Sequence, residues 1–199
     1  MKNEDQDIIL VEESQAGDQE AFGMLVQRYQ SGLFLLARQL ISSTEEAEDV
    51  ISEAFMRAWK DIRNFRREAN FKTWLWRIMI NVCRSHLRRR YLQRKVFFWK
   101  HSREDEEDSQ DQEAQWQDPS AGGDPQKYCE LKSLQSMITK ARTILSPREQ
   151  EVFALKYDHE MKIADIGKLL SLSENTVKVL LFRAAKKMAK TLKDYQNGT

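Results

Sequence analysis

Apolar positions recur at helical spacing along most of this chain, and no stretch alternates as a strand does. In AFGMLVQRYQSGLFLLARQLI, the residues Phe22, Leu25, Val26, Tyr29, Leu33, Leu36 and Leu40 line one helix face. SSTEEAEDVISEAFMRAWKDI repeats the pattern with Ala47, Val50, Ile51, Ala54, Phe55 and Trp59. It opens with Ser43 followed by Glu46, which matches a capping box. A basic loop, RNFRREANFK, leads into a third helix, NFKTWLWRIMINVCRSHLRRR. Later, YCELKSLQSMITKARTIL carries Leu131, Leu134, Ile138, Ala141 and Leu145 at alternating spacings of three and four. SPREQEVFALKY begins with Ser146 as N-cap, Pro147 at the first helical position and Glu149 at the third. IADIGKLL and SENTVKVLLFRAAKKMAKTL then bracket a tight SLS turn, with Ser173 as N-cap. Val177, Leu181, Ala184, Met188 and Leu192 form the buried stripe of that last helix. A short helix, a tight turn and a longer basic helix make a helix-turn-helix. The expected fold is all-α, with two small helical domains.

Charge divides the chain where the pattern does. The net charge of +1 hides eight Lys/Arg and no acid in 84–103, eight acids and no base in 104–118, and six Lys/Arg and no acid in 176–193. Low hydrophobicity and a single sign of charge predict a flexible acidic linker over 96–126. That leaves an N-terminal tail at 1–17, a first domain at 18–95 and a second at 127–195. No run approaches the ~20 apolar residues that span a bilayer. The acidic start MKNEDQDIILVEE is unlike a signal peptide, so a cytoplasmic protein is expected. Cys83 and Cys129 lie in no CxxC pair. Cys83 with His86 would be half a metal site lacking its second pair of ligands. Both read as ordinary residues, and no metal or cofactor is expected.

The helix at 71–90 is unusually apolar and yet rich in arginine. A rotation of ~100° per residue places Trp74, Asn81, Arg84 and Arg88 within about 60° of Arg77. Phe71, Leu75, Ile78, Met79, Val82 and Cys83 lie opposite, and Trp76, Ile80 and Leu87 widen that arc to about 200° by the same step. A surface helix needs less than this. The helix is therefore expected to be clasped by neighbours, leaving one ribbon: Trp74, Arg77, Asn81, Arg84, Arg88. Arginine forks onto phosphate and asparagine hydrogen-bonds base edges. An aromatic beside them offers a stacking plane, worth roughly 1–3 kcal/mol per unpaired base. The plainer reading makes Trp76 a core residue and Arg88 to Arg90 a solvated helix end favoured by the dipole. Two separate basic surfaces in one chain favour nucleic acid.

AGDQEAFGMLVQRY, TEEAEDVISEAFMRAW, NFKTWLWRIMINVCRSHLRR and LSPREQEVFALKY with TVKVLLFRAAKKM resemble, in order and spacing, the extracytoplasmic-function group of bacterial RNA polymerase sigma factors. The resemblance implies a non-enzymatic initiation factor with a region 2 domain, a region 4 domain and no region 1.1 or region 3. It implies that region 2 docks on the clamp of the polymerase's largest subunit through Asp49, Ser52 and Glu53, with Ser52 standing where the family usually has Gln. The loop residues Asn64, Arg66, Arg67, Asn70 and Lys72 match the loop that captures a flipped −10 base. Trp74, Arg77, Asn81, Arg84 and Arg88 match the helix that grips opening −10 DNA. Ser173, Glu174, Asn175, Thr176, Lys178, Arg183 and Lys187 match the −35 helix of region 4, which also meets the flap of the second-largest subunit.

Val179 and Leu180 replace the family's customary Ser and Arg, while Gly167 and Ser171 stand where Ala and Gly are commoner. The acidic linker either threads the polymerase's basic RNA exit channel or serves as a solvated tether. An anti-sigma factor is a common partner in this group; membrane insertion is not expected. The rival reading is a stand-alone helix-turn-helix regulator that binds duplex DNA as a dimer.

Overall fold

The computed structural model describes residues 2–101, 137–139 and 141–197. The chain divides into two units, Met1–Ala114 and Gln115–Thr199. Among the described residues every regular element is helical.

The first unit comprises α1 (Lys2–Ala16), α2 (Gln19–Leu40), α3 (Thr44–Asp61), a 3-10 turn (Ile62–Asn64) and α4 (Phe71–His101). Polar residues at the helix starts take up backbone donors that have no partner within the helix. Asp18 accepts from the Glu20 N–H at 2.8 Å and the Ala21 N–H at 3.2 Å. Ser43 accepts from the Glu46 N–H at 3.3 Å. The predicted stripes turn inward: Leu25, Leu33, Leu36, Val50, Ala54, Leu75, Met79 and Ile80 are buried. Trp76 is buried with them, as its plainer reading requires. A Cβ on Gly32 would come within 3.0 Å of the Trp76 ring, so glycine is what lets α2 approach α4 there. Truncating a buried tryptophan of this kind costs about 3–5 kcal/mol.

Three expectations are revised. The segment 1–17, assigned as a tail, is almost entirely helix α1 and packs on the domain. Val11, Asp7 and Ser14 are buried, and the Asp7 carboxylate accepts from the Arg28 guanidinium and the Tyr29 hydroxyl. At Ser43 only the serine half of the capping box is seen. The Glu46 carboxylate instead crosses to α4, lying 2.9 Å from Arg90 Nη1 and 3.1 Å from His86 Nε2. Finally, α4 continues through His101, so residues 96–101 of the expected linker are helical. The remainder of that linker, with Trp116, lies outside the described residues, as do Cys129, Leu131 and Leu134 of the expected second domain.

In the second unit, residues 137–139 and 141–143 are helical. They precede α5 (Pro147–Phe153), its wider π-helical continuation (Ala154–Asp158), α6 (Ile163–Leu170) and α7 (Glu174–Asn197). The start signal at Ser146 forms a full capping box, with Ser146 Oγ accepting the Glu149 N–H and the Glu149 carboxylate accepting the Ser146 N–H. Val152, Leu155, Ile166, Val177, Leu181 and Ala184 are buried. Arg142 clasps Asp158 through both carboxylate oxygens, at 2.8 and 2.9 Å.

The turn between α6 and α7 is close-packed. Ser171 takes a left-handed conformation (φ 56°), and the Leu172 N–H returns to the Gly167 carbonyl at 2.9 Å. A Cβ on Gly167 would stand 2.8 Å from the Leu172 oxygen.

Candidate nucleic-acid interface

The ribbon on α4 is open. Arg77, Asn81 and Arg88 are exposed, while Trp74 and Arg84 are half-buried. The opposite face, Phe71, Leu75, Met79, Val82 and Cys83, is sheathed. Trp74 does not stand alone. Its ring centroid lies 4.9 Å from that of Phe65 and 5.5 Å from that of Phe71. Such aromatic pairs add about 0.5–1.5 kcal/mol each beyond their burial, so the indole is held in place while part of it stays accessible. Phe65, a platform beneath Trp74, went unnoticed in the sequence because one aromatic in a polar loop carries no periodic signal.

The loop before α4 is also held, from a direction the sequence did not indicate. Gln15 of α1 donates its side-chain N–H groups to the carbonyls of Ile62 and Phe65, both at 2.9 Å. Arg67 has a left-handed backbone (φ 58°). Its guanidinium pairs with Glu12 at 2.7 Å and reaches the Gln15 side-chain oxygen at 3.4 Å. Asn64, Arg66 and Asn70 are exposed. Asn70 has a structural duty too, since its Oδ1 accepts from the Thr73 N–H at 2.8 Å and caps α4. Lys72 is half-buried, with its Nζ 5.4 Å from the Trp76 ring centroid.

On α3, Asp49 and Ser52 are exposed and Met56 beside them is 66% exposed. Glu53 is half-buried and engaged within the chain by Arg57 and Arg89. His86 points to Glu46 rather than to Cys83, which is buried. Among the described residues, no cluster of three or more His, Cys, Asp or Glu is arranged to hold a metal, and no helix is long and apolar enough to cross a membrane.

In the second unit Ser173 caps α7, accepting the Thr176 N–H at 3.1 Å. Its Oγ also lies 2.8 Å from Thr176 Oγ1. Glu174, Asn175, Lys178 and Arg183 are exposed on the same helix. Lys187 differs from them, because its Nζ is 2.6 Å from the buried carboxylate of Glu149.

These two helical units match two family profiles: Sigma-70 region 2 over residues 25–92 and Sigma-70, region 4 over residues 133–188. The chain is 27% identical to the ECF RNA polymerase sigma factor SigW of Bacillus subtilis over 188 residues, covering 92% of this chain and 95% of that protein. The chain belongs to the extracytoplasmic-function group of the sigma-70 family. RNA polymerase sigma-H factor of Pseudomonas aeruginosa is 42% identical over 87 residues, 44% of this sigma factor. That match spans 45% of the relative, less than half its length. The structure of the sigma factor RpoE in complex with the anti-sigma factor NepR, from Bartonella quintana, superposes with a TM-score of 0.62 at 22% identity. It covers 86% of this chain and 96% of that one, and establishes the likeness of fold. The region 2 profile covers the ribbon and α4 as far as residue 92, and the region 4 profile covers α6 and α7 as far as residue 188.

Proposed function

We propose that this chain is a non-enzymatic transcription initiation factor of the cytoplasm, which binds core RNA polymerase and directs it to promoters. In this reading α3 offers Asp49, Ser52 and the flank of Glu53 to the clamp of the largest polymerase subunit. The loop from Asn64 to Lys72 receives a base flipped from the −10 element. Extrusion of a base costs a few kcal/mol, and a prearranged pocket with a stacking partner offsets it. The ribbon of α4 then holds the separated strand: Arg77, Arg84 and Arg88 at phosphates, Asn81 at a base edge and Trp74 as the stacking surface. Region 4 reads −35 duplex with the exposed face of α7, through Asn175, Thr176, Lys178 and Arg183, and meets the flap of the second-largest subunit. An anti-sigma factor, of the kind named in the RpoE complex, is a fitting regulatory partner.

The observation that carries the reading is the exposure of Arg77, Asn81 and Arg88 beside a braced, half-buried Trp74, on a helix whose opposite face, Phe71, Leu75, Met79, Val82 and Cys83, is buried. A stand-alone duplex-binding regulator has no use for such a ribbon or for a region 2 domain. Runoff transcription tests the proposal. Core polymerase with this chain should start at discrete promoters that core alone ignores. Initiation indistinguishable from core alone would refute it.

A further inference from the structure

The exposed face of α7 carries two large apolar side chains within its basic stripe. Val179 is 47% exposed, and Phe182, at 71%, is the most exposed of the large hydrophobic residues among those described. By the ~100° helical step, Asn175, Lys178, Val179, Phe182, Arg183 and Lys186 fall on one side. Val177, Leu181, Ala184 and Met188, all buried, fall on the other. A single exposed apolar residue needs no explanation. Two neighbours, three positions apart on the face that enters a groove, are a different matter.

The flanking charges select the occupant. Lys178, Arg183 and Lys186 border the apolar pair and are exposed, so whatever covers it is strongly anionic along both edges and apolar between them. Duplex DNA meets that description in the major groove. Phosphates border it, and the apolar feature its floor offers is the C5-methyl group of thymine. Val179 and Phe182 are the large apolar side chains among the polar Asn175, Lys178, Arg183 and Lys186 on that side. We propose that Val179 and Phe182 form a reader of thymine methyl groups in the duplex bound by region 4. Lys178 and Arg183 supply the polar contacts on either side, with Asn175 one to two turns before Val179 and Phe182 on the same face. The inference rests on the reading of α7 as the −35 helix, and it adds a base preference to it.

The test uses holoenzyme assembled from core polymerase and the full chain. Duplexes are selected from a pool randomised upstream of a fixed −10 region, and uracil, which lacks only the methyl group, then replaces each thymine of the recovered upstream element. Thymines should be recovered there, and removing each contacted methyl should weaken binding about three- to fourfold. A Val179→Ser/Phe182→Ser variant, altered only at exposed positions, should bind thymine and uracil duplexes equally well. An upstream element that lacks thymine, or that tolerates uracil without loss in the unaltered protein, would overturn the inference and leave the −35 reading standing. Recovery of no upstream element at all would overturn both.

Discussion

Lys187 donates to Glu149 across 2.6 Å, tying the middle of α7 to the first turn of α5. Glu149 also closes the capping box with Ser146, so one buried carboxylate fixes a helix start and a neighbouring helix together. Burial raises its pKa. The hydrogen bonds from Lys187 and Ser146, with the Lys187 charge, outweigh burial and hold it below the ordinary value. A depressed carboxylate pKa contributes stability above the unfolded-state value and loses it as pH falls through the folded one. The contribution should therefore be complete at neutral pH and fade below about pH 4.5. Glu149→Gln should cost about 1–2 kcal/mol at pH 7 and progressively less in acid, measured by urea unfolding of the full chain. An equal cost at both ends of that range would contradict the pairing.

Gln15 braces the loop that precedes α4. Gln15→Ala strips hydrogen bonds from the carbonyls of Ile62 and Phe65 and should cost about 1–2 kcal/mol of stability. Promoter opening should fall while affinity for core polymerase holds, because the α3 surface is untouched. Titration of core polymerase and permanganate footprinting separate the two effects. Opening at the normal rate would show that the brace has no part in melting.

Asp49 is the cleaner probe of polymerase docking, since Glu53 already pairs with Arg57 and Arg89. Reversing Glu53 would disturb those pairs along with any contact to polymerase. Asp49→Lys should weaken core binding by about tenfold or more with the helical content unchanged. Wild-type affinity would remove Asp49 from the interface.

The helix-turn-helix corner makes opposite predictions at its two unusual positions. Ser171 occupies a left-handed conformation, which costs a non-glycine residue roughly 1–2 kcal/mol. Ser171→Gly should stabilise the protein by about 0.5–1 kcal/mol, once the greater freedom of glycine in the unfolded chain is deducted. Gly167→Ala should destabilise it, because the new methyl would meet the Leu172 oxygen at 2.8 Å. Thermal unfolding that moves both variants in the same direction would contradict this account of the corner.

Much of this was legible in the sequence, because amphipathic spacing and caps are local. The stripes of α2, α3 and α7, the caps at Ser43, Ser146 and Ser173, and the ribbon from Trp74 to Arg88 all follow from residues near one another. What escaped depends on distant partners. Helix α1 turns Asp7 and Ser14 inward beside Val11, so its buried stripe is partly polar, and the Arg28 and Tyr29 groups that satisfy Asp7 lie on another helix. Glu46 has the spacing of a capping box, yet His86 and Arg90 from α4 win its carboxylate. Lys187 resembles a phosphate contact in sequence, and only the fold brings Glu149 beneath it.

Trp74 offers the most direct test of the central claim. Trp74→Ala should slow opening of the −10 region by roughly 5- to 100-fold, the equivalent of one lost base stack. Trp74→Phe, which keeps the packing on Phe65 and Phe71, should retain most of the activity. The measurement is fluorescence of 2-aminopurine placed in the −10 element, with core-polymerase affinity followed in parallel. Slow opening with unchanged core affinity is the predicted result. Loss of both in equal measure, or of neither, would contradict the claim that this edge of α4 holds unpaired promoter DNA.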